Sequence, residues 1–234
     1  MASFLDSISS TLAPVRREGW PFVAIALGAA VLLGWLWQPF LWMGLIFAAW
    51  CAYFFRDPAR VTPVDDALVV SPADGRVVSV KSTTPAPTEL DLDGGSHRRI
   101  SIFMSVFDCH VNRAPLAGTV GHIRYKPGRF LNADLDKASD DNERNGIVLE
   151  TAHGRVAVVQ IAGIIARRIV CFVHEGDGVV AGERIGLIRF GSRVDVYLPP
   201  SAAVIVAEGQ TVIAGETVIA QFGAETVDRQ VRID

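Results

Sequence analysis

A mainly β barrel-sandwich domain behind an N-terminal apolar helical hairpin is the fold class that this 234-residue sequence predicts. Three observations predict it. No charged side chain occurs from Trp20 to Phe55, a run of 36 positions. Beyond Asp57 the composition changes to short apolar runs separated by Gly, Pro and Asp, the pattern of strands and tight turns. Near the C-terminus a phrase recurs: Glu175-Gly176-Asp177-Gly178-Val179-Val180-Ala181-Gly182-Glu183 and Glu208-Gly209-Gln210-Thr211-Val212-Ile213-Ala214-Gly215-Glu216, offset by 33 residues. Each copy reads as a turn, a short strand and a second glycine turn, and repeated hairpins suggest an all-β core.

Composition narrows the function. Half the residues are hydrophobic and the net charge is -3, which argues against a nucleic-acid binder. Cys51, Cys109 and Cys171 are an odd set without paired spacing, so a reducing compartment is expected and no disulfide framework. No Cys/His cluster has zinc-like spacing, and no metal is expected.

The elements follow in order. In residues 1–19, Phe4, Leu5, Ile8 and Leu12 fall at helical spacing, and this lead ends in Pro14 and Arg16-Arg17-Glu18. The apolar run is divided by Gln38-Pro39. One spanning helix needs about 20 residues and two need about 40 plus a loop. All five tryptophans lie in this run, three of them around the break and two toward the ends, as suits a membrane interface. Arg16-Arg17 and Arg56 with Arg60 flank it, which predicts a hairpin dipping into or just crossing the cell membrane, with the following domain on the cytoplasmic side. A buried helix pair is the alternative. The expected division is therefore 1–56, lead and hairpin, and 57–234, β-rich domain.

In the second part, Ala67-Leu68-Val69-Val70, Ser71-Pro72-Ala73-Asp74-Gly75 and Arg76-Val77-Val78-Ser79-Val80 read as strand, turn, strand. Residues 82–97 read as a loop, and 100–104, 119–125, 147–150, 156–161 and 169–173 as strands. Residues 132–146, rich in Asn and Asp, read as a long loop of the kind that often forms a lid. The C-terminal repeat resembles lipoyl and biotinyl carrier domains. A carrier displays a lysine at its turn, and neither copy contains one.

Chemistry gathers around Arg189-Phe190-Gly191-Ser192-Arg193, between strand-like runs. After it, Val194, Val196 and Leu198 alternate as in a half-buried strand. Gly191-Ser192 is then either an ordinary turn or a place where the chain cuts itself. A serine hydroxyl needs a base, and a carboxylate can orient the imidazole that serves as one. Ser192, His110 and Asp74 each lie beside a Gly or Pro turn and could form such a set, although spacing alone cannot show that they meet.

Several phrases resemble phosphatidylserine decarboxylases in their short bacterial and archaeal form. They are Phe190-Gly191-Ser192-Arg193-Val194-Asp195-Val196-Tyr197-Leu198-Pro199, Gln160-Ile161-Ala162-Gly163 and Ala166-Arg167-Arg168-Ile169-Val170-Cys171. His110-Val111-Asn112-Arg113, Pro127-Gly128-Arg129-Phe130, Asn142-Glu143-Arg144-Asn145 and Phe55-Arg56-Asp57-Pro58 also match. The resemblance runs in order over residues 20–222. It implies self-cleavage between Gly191 and Ser192 into a β chain, 1–191, and an α chain, 192–234, headed by a pyruvoyl group made from Ser192. That group would form a Schiff base with phosphatidylserine and release carbon dioxide and phosphatidylethanolamine. His110 would be the base and Asp74 its orienter. The implied partners are the phospholipid membrane and the paired chains, with a dimer of such pairs left open. Arg113, Arg167 and Arg168 could hold the lipid phosphate or carboxylate, since Arg matches such groups bidentately. The long form carries a second histidine where Arg113 stands, and Thr where Arg193 stands. His110 then does both proton-transfer jobs, or His122 shares one. A membrane-tethered adaptor and a serine hydrolase acting in trans are the competing readings.

Overall fold

A computed structural model describes residues 13–92, 95–128, 142–163, 168–189 and 191–224. The chain divides into two compact units, Met1–Ala59 and Arg60–Asp234.

The first unit is a helical hairpin, α1 (Trp20–Gly34) and α2 (Gln38–Phe54). Each helix begins with a proline in its first turn, Pro21 and Pro39, where the missing N–H costs no bond. Small residues let the helices close: a side chain on Gly44 would collide with Ala30. The outward face is apolar, with Trp35 91 % and Ile46 70 % exposed. At 15 and 17 residues the helices are about 22 and 26 Å long, short of a hydrocarbon core of about 30 Å. Among the described residues no helix is long and apolar enough to cross a membrane.

The second unit is mainly β, and every strand pairing in it is antiparallel. Its strands are β1 (Leu68–Val70), β2 (Gly75–Pro85), β3 (Ser96–Met104), β4 (Val111–Arg113), β5 (Gly118–Lys126), β6 (Arg144–Thr151) and β7 (Gly154–Ala162). They continue with β8 (Ile169–Cys171), β9 (Gly178–Val179), β10 (Arg184–Ile188), β11 (Ser192–Leu198), β12 (Ala203–Val204), β13 (Thr211–Val212) and β14 (Val218–Gln221). Strand order in the large sheet is β13-β2-β3-β11-β7-β6-β5-β9, and two three-stranded sheets run β1-β14-β12 and β4-β10-β8. The main core lies between them. It includes Val77, Ile100, Ile102, Val158, Val194, Val196, Leu198, Ile185 and Ile219.

The order is a palindrome, and the two halves make the same bonds. Gly209 N–H donates to the Val77 carbonyl (2.7 Å) as Gly176 does to Val120 (2.8 Å). Gly215 N–H donates to Ser71 (2.8 Å) as Gly182 does to Ala114 (2.8 Å). The side chains of Glu208 and Glu175 accept from Val80 and Ile123 N–H at 2.9 and 2.8 Å. The 33-residue repeat is thus half of a two-fold duplication. Its other half, Pro72-Ala73-Asp74-Gly75-Arg76-Val77 against Pro115-Leu116-Ala117-Gly118-Thr119-Val120, went unread because only Pro, Gly and Val recur.

Some expectations change. β2 runs on to Pro85, a 3-10 turn occupies Thr88–Leu90, and β3 already starts at Ser96, so little of 82–97 is loop. The loop expected at 132–146 falls outside the described residues as far as 141, and β6 takes over from Arg144. β11 is buried on both faces rather than half-buried, because Arg193 and Asp195 satisfy one another in a bidentate pair at 2.8 and 2.9 Å.

Candidate active site

β11 lies at the centre of the large sheet, and its first residue is Ser192. Ser192 pairs with Met104 of β3 on one side and Ala162 of β7 on the other. Its Oγ is buried and has no hydrogen-bond partner among the described residues. A buried hydroxyl left unbonded is costly. Gly191 precedes it at φ +64°, the left-handed region that favours glycine. The Gly191 carbonyl accepts from Gly163 N–H at 3.1 Å.

Asp74 reaches the same end of the sheet. It precedes β2, where a Cβ on Gly75 would collide with the Phe103 carbonyl oxygen next to Met104. Only glycine lets this turn press against the strand beside Ser192. The Asp74 carboxylate takes an ion pair from Arg60 (2.6 Å) and the N–H of Ala214 (2.8 Å). In the other half of the duplication the equivalent of Asp74 is Ala117 and that of Ser192 is Gly154. The framework therefore folds without either functional group.

His110 stands just before β4, and its main chain accepts from Ile188 N–H (3.3 Å), four residues ahead of Ser192. The imidazole is fully buried. Its Nδ1 lies 3.0 Å from the Asp108 carbonyl. A carbonyl only accepts, so Nδ1 carries the proton and Nε2 is the basic nitrogen. Asp108 in turn shapes the loop: its carboxylate accepts from Ser105 N–H (2.7 Å) and its own N–H donates to the Ser105 carbonyl (3.0 Å). The Asp108 main chain thus holds the His110 ring at Nδ1, a contact that sequence reasoning missed and for which a carboxylate two residues before the histidine was the available signal. A cavity of about 610 Å³ lies beside this end, with Gly75, Phe103, Ser105, Asp108 and Thr211 in its walls.

The model of one family, phosphatidylserine decarboxylase, matches residues 47–220, well over half of the chain. The chain belongs to the phosphatidylserine decarboxylase family. It is a pyruvoyl-dependent carboxy-lyase, and self-processing is characteristic of this family. An unbonded Ser192 Oγ next to the Gly191 carbonyl fits what formation of that group needs.

Arg113, Arg168 and His122 each make contacts of their own in the decarboxylase. Arg113 is 5 % exposed, and its Nη1 donates to the Gly182 carbonyl at 2.8 Å, which fastens a repeat turn. Arg168 is exposed, and its carbonyl accepts from Arg189 N–H at 3.2 Å. Arg167 lies outside the described residues. His122 sits on β5, three strands from β11, with Nε2 2.6 Å from the Leu90 carbonyl. A chain of buried amides was also missed. Asn145 donates to Gln160 (3.0 Å), Gln160 to Asn112 (2.8 Å) and Asn112 to the Met104 sulfur (3.6 Å). It ties the strand after His110 to the sheet that carries Ser192. No periodicity marks such a chain, because its members come from three distant segments.

Proposed function

We propose that this phosphatidylserine decarboxylase cuts itself between Gly191 and Ser192, with His110 as the base. The single observation carrying this is the buried, unbonded Ser192 Oγ next to a left-handed glycine. Oγ attacks the Gly191 carbonyl carbon and His110 Nε2 takes its proton. The C–N bond breaks, leaving Gly191 joined to Oγ as an ester and Ser192 with a free amine. Loss of the Ser192 α-proton then expels Gly191 as a carboxylate. Water replaces the nitrogen of the resulting dehydroalanine, and ammonia departs. Once formed, the pyruvoyl group supplies an electron sink for loss of the headgroup carboxylate. His110 returns a proton to carbon, a role that its burial near the start of β11 supports. Asp74, held in place by Arg60 at the same sheet end, acts as the orienter of that base.

The finer assignments belong to the same reading. The paired hairpins of the duplication support a lipoyl-like barrel-sandwich. The short, outwardly apolar helical hairpin supports insertion into one leaflet of the cell membrane, with the catalytic unit on the cytoplasmic side. That anchor keeps the chain with a substrate that never leaves the bilayer. Arg113, Arg167 and Arg168 hold the lipid phosphate or carboxylate, and the exposure of Arg168 supports that role for it. The β and α chains stay together as a heterodimer.

Ser192→Ala is expected to remain a single inactive chain, and Ser192→Cys to cut slowly. The wild-type α chain should resist N-terminal sequencing, because a pyruvoyl group has no amine. Borohydride with phosphatidylserine should trap an adduct on that chain alone. An α chain beginning with an ordinary serine amine would overturn the assignment.

A further inference from the structure

When Ser192 Oγ adds to Gly191, the carbonyl carbon becomes tetrahedral and its oxygen takes on negative charge. A donor aimed at that oxygen is worth far more in this step than in the resting chain. The register of β7 against β11 pairs Ala162 with Ser192, so the next rung joins Gly163 to Gly191. There Gly163 N–H already donates to the Gly191 carbonyl oxygen at 3.1 Å.

The peptide unit that carries this N–H is held at its other end. Its carbonyl, that of Ala162, accepts from Asn142 Nδ2 at 2.8 Å. Asn142 is 1 % exposed. The N–H of Ala162 is separately bonded to the Glu143 carbonyl at 2.9 Å. Asn142 therefore fixes the tilt of the Ala162–Gly163 amide, and a hydrogen bond to an amide carbonyl strengthens the same amide as a donor. An ordinary ladder rung would need neither the buried side chain nor that alignment on the one carbonyl that reacts.

We propose that Gly163 N–H is the oxyanion donor of self-cleavage and that Asn142 is the residue positioning it. The inference rests on the cleavage assignment above. It also gives physical content to two sequence phrases, Gln160-Ile161-Ala162-Gly163 and Asn142-Glu143-Arg144-Asn145, which meet at this amide.

The test is the first-order rate at which newly made precursor is cut, followed by intact mass. Glycolic acid in place of Gly163, introduced by cell-free translation, replaces the N–H with an ester oxygen and leaves the chain path unchanged. The rate should fall by about 10²–10³-fold, the loss typical of one oxyanion donor. Lactic acid in place of Ala162 is the control, since it removes a bond of the same strand that points away from Gly191. It should lower the melting temperature similarly and change the cleavage rate little. Asn142→Ala should slow cleavage by about two- to tenfold, the worth of one hydrogen bond. Equal cleavage rates for the two esters would overturn the proposal. If the Gly163 ester gives no cooperative melt, Asn142→Ala decides, and wild-type cleavage in that folded variant overturns the proposal. A wild-type chain that stays whole, or is cut elsewhere, removes the Gly191–Ser192 assignment instead and is recognised by mass.

Discussion

At Gly191 the demand for glycine is conformational rather than steric. A Cβ there would meet nothing closer than Val106 Cγ1 at 4.0 Å, yet φ is +64°. An L side chain pays about 1–2 kcal/mol in that region. Gly191→Ala should therefore fold and cut about five- to thirtyfold more slowly, as read by gel densitometry of fresh precursor. Tyr197 reports on the same strand by its titration. Burial, then the nearby Asp195 charge, pushes its hydroxyl up to about 12. The unfolded chain would ionise near its ordinary value of about 10. A raised folded value means full stability below pH 10 and loss as the pH climbs toward 12, by about 2–3 kcal/mol. Tyr197→Phe should remove that part of the alkaline loss in urea titrations at pH 9 and 12.

β11 is the element on which the molecule depends. Val194, Val196 and Leu198 enter the main core, while Tyr197 packs with Val148, Val159 and Ile161 on the opposite face. Among the polar positions between them, Arg193 pairs with Asp195, since an isolated buried charge is prohibitively costly. The buried amide chain is built on the same principle. Gly186 leaves room for it: a Cβ there would lie 2.6 Å from Gln160 Nε2. Gln160→Leu should strand both Asn112 and Asn145, lowering stability by about 2–5 kcal/mol, with slower processing because β4 loosens behind His110. Unchanged melting in Gln160→Leu would show that the amides are not what holds that strand.

For the molecule as a whole, the duplication accounts for the position of the proposed cut. In one half a tight hairpin joins β6 to β7, from Thr151 to Gly154. In the other half the equivalent strands are β3 and β11, and their hairpin is opened by everything from 105 to 191. Ser192 thus stands at the mouth of an opened hairpin, where a break leaves the sheet intact. After cleavage β11 stays hydrogen-bonded to β3 and β7, so the α chain should co-elute with the β chain until denaturant is added. On the reading proposed above, the helical unit serves access to lipid rather than self-cleavage. Deleting residues 1–54 should leave self-cleavage intact while turnover falls on vesicles more than on detergent-solubilised lipid. Equal loss on both substrates would assign the hairpin a folding role.

Strands, turns and the apolar hairpin were legible in the sequence because they are local. Period-two alternation marks β11, a charge-free run marks the helices, and glycine turns mark the repeat. Gly191-Ser192 drew notice through a resemblance spread along the chain rather than through its own chemistry. The Asp108 contact of His110, the second copy of the duplication and the convergence of Asn142, Gly163 and Gly191 were not legible. Each rests on hydrogen bonds or a strand register, and no local pattern encodes a bond whose two ends are chosen by packing. The sequence determined which residues could do the chemistry. Only the tertiary structure decided which carbonyl is polarised, because that depends on which strand lies beside β11 and in what register.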